Sequence, residues 1–188
     1  MKKYFAFLLS AIIFVSCNSN VDKSSTKSSD SSVIGTWNLK NGETVSAFPG
    51  DLKNQQIWLD YIKAHNIRDL DKIAAMNAEG WEGYPPDGSV IKGTEAQIEF
   101  LDAWFKASSP RWKTRWMIAN SGQNEEGEIE QWLTTGNDIK FLDENGNEVL
   151  ENHVHDVQFV NGKIKKINVY SKQSEKTLGE PRKIKKQL

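Results

Sequence analysis

Two histidines separated by one residue, His153 and His155, are the side chains best suited to chemistry in this sequence. Histidine changes its charge near physiological pH, so such a pair can act as general acid and base, with Glu151 or Asp156 orienting one ring. The two rings could equally be hydrogen-bonded inner-face residues or exposed ones. Two histidines at this spacing can also share a metal, but no third ligand follows at a useful spacing. We therefore predict no metal and no cofactor.

The segment that contains both histidines, residues 149–170, has the pattern of two antiparallel strands joined by a tight turn. Asn161-Gly162 marks the turn, because both residue types tolerate the positive φ that a two-residue hairpin loop requires. Side chains alternate along a strand, which places both histidines on the same face as Val157 and Phe159. We expect this face to be the inner one. The odd spacing of two isoleucines in the second strand predicts a bulge near Lys165-Lys166.

Large aromatic side chains form the second group of candidates. They are Trp58, Tyr61, Trp81, Tyr84, Trp104, Trp112 and Trp116. Such rings line apolar pockets, and their N–H or O–H groups orient a ligand. Each ring could instead pack in the core, but we expect several to reach a cavity. If the protein is an enzyme, a histidine would be its general base and Tyr84 or Tyr61 its hydrogen-bond donor.

Helical periodicity occupies the first half of the chain. A first helix is predicted to run from its cap at Asp51 to about residue 65, and a second over residues 69–80. Thr94 and Gln97 have the spacing of a capping box for a third helix over residues 95–106.

Strand periodicity interrupts and then follows the helices. Residues 81–84 and 90–92 could pair as a short edge hairpin, since two prolines follow the first of these segments. From Arg111 the pattern alternates, with Trp112 and Trp116 on one face, and two further runs cover 128–135 and 138–142. Helices followed by strands predict an α+β fold with an antiparallel sheet.

The N-terminal region predicts a cellular address. Residues 4–15 are apolar but too short to span a bilayer, which is typical of a secretory signal. The segment Phe14-Val15-Ser16-Cys17 resembles the lipobox of bacterial lipoproteins, which implies removal of residues 1–16 and lipid attachment at Cys17. The residue directly after Cys17 is Asn18, whereas an aspartate at that position would favour retention in the inner membrane. We expect a lipid-anchored, palmitate-bearing protein of the bacterial cell envelope, located at the outer membrane.

Composition divides the remainder of the chain. Residues 17–32 are a Ser-rich mixture that predicts a flexible tether, residues 33–172 form one domain, and residues 173–188 form a basic, disordered tail. The formal net charge is −1, and no basic stripe alternates with aromatic residues, so we predict no nucleic-acid partner.

Three short motifs and the order of the elements resemble one superfamily. The motifs are Arg68-Asp69-Leu70-Asp71, Ile91-Lys92-Gly93 and Phe159-Val160-Asn161-Gly162-Lys163-Ile164. In these residues the chain resembles the nuclear transport factor 2-like superfamily and, within it, the SnoaL-like domains. The resemblance implies a cone-shaped, strongly curved, mostly antiparallel sheet wrapped around three helices, with a pocket at its open end. Members include isomerases, dehydratases, cyclases and epoxide hydrolases, together with domains that only bind.

The same resemblance implies where catalytic groups would lie. Ketosteroid-isomerase-like members place a general-base aspartate before a proline after the second helix, and here that stretch is Gly83-Tyr84-Pro85. Their oxyanion-stabilising acid would fall near Asn152 or His155, neither of which is a carboxylic acid. We therefore expect a membrane-anchored domain that binds a small apolar or aromatic molecule. The alternatives are a lyase or isomerase with His153 or His155 as base, and a homodimeric scaffold that pairs through its outer sheet face.

Overall fold

In the computed structural model, which describes residues 32–172, three helices pack against one side of an eight-stranded sheet. The predicted signal peptide, the lipidated Cys17, the tether up to residue 31 and the basic tail lie outside the described residues. Within the described part, no helix is both long and apolar enough to cross a membrane.

The elements follow one another without long loops. The strands are β1 (Gly35–Asn38), β2 (Thr44–Pro49), β3 (Asn77–Tyr84), β4 (Ile91–Lys92), β5 (Arg111–Gln123), β6 (Ile129–Leu142), β7 (Glu148–Val160) and β8 (Lys163–Lys172), and the helices are α1 (Lys53–Ile67), α2 (Leu70–Met76) and α3 (Thr94–Ser108).

The sheet order is β1-β2-β5-β6-β7-β8-β3-β4, and its strand pairs are antiparallel except β3 with β8. The sheet is curved and not closed, and its concave face receives the helices. This arrangement confirms the predicted α+β cone. The segment predicted as an edge strand is interior, because β3 begins earlier, at Asn77, and pairs on both sides, which leaves β4 at the edge.

The strand pair with the two histidines forms as predicted. Its turn residues Asn161 and Gly162 have φ values of 51° and 71°, as a two-residue hairpin loop requires. In β8 an extra residue, Lys165, lies between the partners of Gln158 and Phe159 and turns the apolar residues on both sides of the bulge inward. The two runs predicted over 128–135 and 138–142 are one continuous strand, β6.

The helix ends differ from the predictions in informative ways. Asp51 accepts a hydrogen bond from the backbone N–H of Lys53 (2.9 Å), but Leu52 occupies the cap position of α1. Asp69 caps α2 as predicted by accepting from the N–H of Lys72 (3.0 Å). This helix ends at Met76, well before residue 80, because the next residue is already extended and begins β3.

The predicted capping box at α3 is wrong, because its two residues serve a different purpose. Gly93 is the cap residue, while Thr94 Oγ1 and Gln97 Oε1 both accept from Asn77 Nδ2 (3.2 and 2.6 Å). Asn77 Oδ1 accepts from the hydroxyl of Tyr61 (3.4 Å), which itself accepts from Gln97 Nε2. This buried network ties α1, α3 and the start of β3 together, and each buried polar group in it has a partner.

A bulge in β5 changes which side chains face the helices. Arg115 is the extra residue between the β6 partners of Thr114 and Trp116. Trp112 is therefore buried on the concave face, whereas Trp116 lies on the convex face and is 44% exposed. The alternation that predicted both tryptophans on one face is wrong from the bulge onward, because one inserted residue exchanges the two faces of a strand.

Candidate functional site

A cavity of about 420 Å³ lies between the concave face of the sheet and the helices. Its wall is mostly apolar, with aromatic residues Trp58, Tyr61, His65, Trp81, Tyr84, Phe100, Trp104, Trp112 and Phe141 and aliphatic residues Ile62, Ile91, Leu101, Ile139, Ile167 and Val169. Several rings meet edge to face, including Trp104 with Trp112 at 5.3 Å between centroids. Such a volume and lining are typical of a site for a small organic molecule.

Two indole N–H groups in this wall have no hydrogen-bond partner. Trp58 and Trp81 are 1% and 2% exposed, and neither Nε1 atom is bonded to any described residue. A buried donor without an acceptor lowers the stability of the folded protein by about 1–3 kcal/mol, so native proteins rarely contain one. Both residues line the cavity, while their Nε1 atoms are themselves enclosed by protein atoms.

His155 is a neutral hydrogen-bond donor at the base of the cavity. Burial is the main cause that lowers the pKa of its imidazole to about 3, and the charges of the other two histidines act in the same direction. Its Nδ1 lies 3.4 Å from Asn137 Nδ2, whose amide is oriented by Thr114 Oγ1 donating to Asn137 Oδ1 (2.9 Å). Because Nδ1 accepts this bond, the ring proton is on Nε2.

His65 is also a neutral imidazole in the wall, but its Nε2 can accept a hydrogen bond, whereas that of His155 can donate one. Burial lowers its pKa to about 4, although the backbone hydrogen bond opposes this shift. Its Nδ1 donates to the carbonyl of Tyr61 (2.8 Å), so Nε2 has no proton and is an acceptor. Its ring packs edge to face on Trp112, at 5.4 Å between centroids.

His153 and Glu151 form an ion-pair geometry at the cavity. Nε2 of His153 lies 2.7 Å from Oε2 of Glu151, and their side chains are 10% and 25% exposed. A carboxylate only accepts, so His153 donates from Nε2 and its Nδ1 is the atom able to receive a proton when the ring is neutral. The centroids of the His153 and His155 rings are 6.0 Å apart.

No family model and no curated protein matches the sequence, whereas many solved structures share the fold. A protein assigned as a ketosteroid isomerase from Kribbella flavida is 12% identical over 72% of this chain and 90% of its own, with a TM-score of 0.53. A protein assigned as a SnoaL-like polyketide cyclase from a Jannaschia species is 12% identical over 65% of this chain and 88% of its own, also with a TM-score of 0.53. TerC, crystallised with polyporic acid, is 16% identical over 64% of this chain and 92% of its own, with a TM-score of 0.52.

The chain has the SnoaL-like, nuclear transport factor 2-like fold. This confirms the resemblance drawn from the three motifs. At such low identity the comparisons establish the fold alone, so the chemistry of this SnoaL-like cavity has to be argued from its own residues.

The SnoaL-like cavity brings together nearly all the side chains predicted from the sequence. His153, His155 and every predicted aromatic residue except Trp116 border it. Trp116 does not, because the bulge in β5 turns it to the convex face, where its indole covers Gly136. Contact of the other residues with a ligand stays a prediction.

The predicted partners of the histidines separate in the SnoaL-like sheet. Glu151 is hydrogen-bonded to His153 and orients its ring, which was one of the two predicted arrangements. Asp156, the other alternative, points away on the convex face, where it accepts from Thr134 Oγ1 (2.7 Å).

Neither tyrosine hydroxyl is available as the predicted donor to a ligand. The hydroxyl of Tyr61 donates to Asn77, and burial raises the pKa of this phenol. The hydroxyl of Tyr84 donates to Glu82 (2.8 Å), and this bond raises the pKa of Tyr84 and lowers that of Glu82. Other donors in the wall are the indole N–H groups of its tryptophans, including Trp104 and Trp112, and the Nε2–H of His155.

Sequence reasoning did not single out several residues of this site, among them His65, Asn137 and Phe141. His65 follows Trp58 and Tyr61 on one helical stripe, a spacing that places all three on the same side of α1. The strand alternation of β6 would have found the other two, had this segment been recognised as one strand. Within the described residues, no three His, Cys, Asp or Glu side chains come close enough to hold a metal ion.

Proposed function

We propose that the cavity binds a small, neutral, largely aromatic or apolar molecule that presents a hydrogen-bond acceptor to its wall. The observation that supports this proposal most directly is the mostly apolar, aromatic wall of the cavity. The Nε2–H of His155 offers a ligand a neutral hydrogen-bond donor in this wall.

The charge of the wall favours a neutral ligand over an anionic one. The residues that line the cavity include no lysine or arginine, and their carboxylates are Asp87 and Glu151. The low pKa values of His65 and His155 keep both rings uncharged at neutral pH. A buried carboxylate of a ligand would therefore find no lysine or arginine to offset the cost of its desolvation, and the one remaining histidine, His153, is already bonded to Glu151.

A matched pair of probes tests this proposal. The full-length chain is mixed with 2-acetylnaphthalene, a neutral ketone, and with 2-naphthoate, its carboxylate counterpart, in a thermal-shift assay within a wider panel of neutral aromatic ketones. We expect neutral ketones to raise the melting temperature and the carboxylate to have no effect. A flat response across the whole panel would contradict binding, and equal stabilisation by both probes would contradict the charge argument.

A second candidate function is proton transfer by His153, which the 2.7 Å contact with Glu151 favours. Glu151 would stabilise the imidazolium that forms when Nδ1 takes a proton from a carbon next to a carbonyl. His155 is a poor general base at neutral pH, because its pKa is about 3. It would instead donate from Nε2 to the carbonyl oxygen as negative charge develops there.

Hydrogen exchange separates catalysis from binding. A ketone that stabilises the protein is incubated with it in D₂O, and deuterium incorporation next to the carbonyl is followed by NMR. We expect catalysed exchange with the natural chain and only background exchange with His153→Gln, while both proteins bind the ketone. Exchange that is equally fast with His153→Gln would exclude this residue as the base.

We also propose that the domain is held at the bacterial cell envelope through a lipid on Cys17, on the outer membrane. The supporting observation is the lipobox-like segment after an apolar run. Several acyl chains anchor a protein stably, since each buried CH₂ contributes about 0.8 kcal/mol. Radiolabelled palmitate should be incorporated into the natural chain in a bacterial host but not into Cys17→Ala. A full-mass product that begins at Met1 and contains no label would overturn the proposal.

A further inference from the structure

A second hollow, of about 390 Å³, lies on the convex face of the sheet and is separate from the cavity. Its residues are Trp37, Asn38 and Leu39 of the β1–β2 hairpin region and Asn120, Glu130, Trp132, Thr134, Asp156 and Asn168 of strands β5 to β8. We call it the convex groove. None of these residues belongs to the wall of the cavity, so the function of the groove is argued independently.

The indole of Trp37 lies flat against the sheet at this groove. A Cβ placed on Gly122 would lie 2.6 Å from Cε3 of Trp37 and 2.8 and 2.9 Å from the two adjacent ring carbons. Such nearly equal distances are those of an atom above the ring plane, whereas an atom beyond the ring edge would be much closer to one carbon than to its neighbours. Glycine at position 122 thus permits the ring to lie face-on, and its other face points away from the strand.

The second indole of the groove is fixed by a carboxylate. Trp132 Nε1 donates to Glu130 Oε2 (2.8 Å), which satisfies its only polar atom. Thr134 Oγ1 donates to Asp156 Oδ1 (2.7 Å) in the neighbouring position of the same face. Each bond uses one carboxylate oxygen, so the other oxygen of each carboxylate can accept from a ligand.

The polar groups of the groove form an ordered row. Thr134, Asp156 and Asn168 are direct cross-strand partners on β6, β7 and β8. Asn120 and Asn38 add amides, which both donate and accept hydrogen bonds. The groove residues include two carboxylates and no lysine or arginine, so the groove does not attract an anion.

We propose that the convex groove binds a neutral saccharide. The apolar C–H face of a sugar ring packs on the indoles, and its hydroxyl groups donate to Glu130 and Asp156 and exchange hydrogen bonds with the asparagine amides. A purely apolar ligand would desolvate the second oxygen of each carboxylate without offering it a donor, and an acidic ligand would be repelled by both carboxylates.

Calorimetric titration of the full-length chain tests the proposal with cellohexaose, maltohexaose and N-acetylchitohexaose as neutral probes and hexagalacturonate as the acidic probe. We expect at least one neutral oligosaccharide to bind, and hexagalacturonate to bind more weakly. Trp37→Ala and Trp132→Ala should each weaken that binding about tenfold, since stacking on a ring contributes roughly one factor of ten. Asn168→Ala, which leaves both indoles in place, should weaken it about fivefold through a lost hydrogen bond.

Two tryptophan variants outside the groove are the matched controls. Trp116→Ala removes a convex-face indole that covers Gly136, and Trp104→Ala removes a ring of the cavity, so neither should change saccharide affinity. Failure of all three neutral probes to bind overturns the proposal, as does tighter binding of hexagalacturonate. Saccharide binding that is lost in Trp104→Ala but kept in the groove variants would place the site in the cavity instead. Sedimentation that shows a dimer dissociated by Trp37→Ala, without saccharide binding, would identify the face as a self-association surface and also overturn the proposal.

Discussion

Tryptophan side chains differ between the two sides of the sheet. On the concave side, Trp58 of α1 and Trp81 of β3 are fully buried, and their N–H groups have no partner among the described residues. On the convex face Trp132 is half-buried, and its N–H donates to Glu130. The indole of Trp132 is thus satisfied by a side chain of its own strand, whereas the two buried indoles are enclosed without an acceptor. An unpaired buried donor costs stability, so packing alone does not account for the aromatic lining of the concave side.

The largest expected difference between the two faces is the loss of unfolding free energy when an apolar side chain is shortened to alanine. Leu133 is fully buried on the concave face of β6, while Ile118 is 56% exposed on the convex face of β5. Leu133→Ala should lower the free energy of unfolding by about 2–5 kcal/mol, because it removes buried methyl groups and leaves a cavity. Ile118→Ala should change it by less than about 0.5 kcal/mol. Urea unfolding measures both, and equal losses would contradict this assignment of the faces.

Acid should destabilise the concave face through its two buried histidines. The folded-state pKa values of His65 and His155, about 4 and about 3, lie below the ordinary value of 6.5. Between these values the unfolded chain binds more protons, so the stabilisation is complete above about pH 6.5 and is lost as the pH falls toward the folded-state values. From about pH 7 to pH 5, each histidine should cost about 2 kcal/mol of unfolding free energy.

Single variants identify the origin of this pH dependence. His65→Gln and His155→Gln should each remove about half of the slope of unfolding free energy against pH, measured by urea titration at several pH values. A slope that is unchanged in both variants would show that other groups cause the acid sensitivity. Trp132→Phe on the convex face is the control and should leave the slope unaltered.

Ligand affinity should distinguish the faces by about one factor of ten. Trp104 borders the cavity and packs on Trp112, whereas Trp116 covers Gly136 outside it. The neutral dye Nile red should bind about tenfold more weakly to Trp104→Ala, because an aromatic contact of the wall is lost. Fluorescence titration should show natural affinity for Trp116→Ala. The same loss in both variants would mean that the dye does not report on the cavity.

A small effect on stability is expected for substitution of a glycine on the convex face. A Cβ on Gly136 would lie 2.2 Å from Nε1 of Trp116, but this indole is 44% exposed and can turn toward solvent. Gly136→Ala should therefore cost less than about 1 kcal/mol. At Gly50 the Cβ would meet the backbone of Asn120 at 2.6 Å, which cannot turn aside, so Gly50→Ala should cost about 1–3 kcal/mol. Thermal unfolding of the two variants compares them.

The sequence was sufficient for features set by local rules. Asn161-Gly162 predicted the hairpin turn, and the odd spacing of the isoleucines around Lys165-Lys166 predicted the bulge in β8. Both follow from backbone conformation and strand alternation, which depend on neighbours in sequence.

Features set by tertiary contacts were beyond the sequence. The bulge at Arg115 has no local signal, so alternation predicted the wrong face for Trp116. Thr94 and Gln97 have the spacing of a capping box, but Asn77 competes for both side chains once β3 is in place. The position of Asn137 beside His155 likewise depends on the pairing of β6 with β7, which joins residues distant in the chain.

The parallel pairing of β3 with β8 governs when the molecule can complete its structure. β3 follows directly on the second helix, yet its long-range partner is the last strand of the described chain. Contacts between such distant segments form slowly, since the loop between them must close first. A nascent chain can therefore form its helices and the hairpins of β5, β6 and β7 early, but β3 gains its long-range partner only after residues 163–172 have been made. A product that lacks β8 would leave the edges of β3 and β7 unpaired.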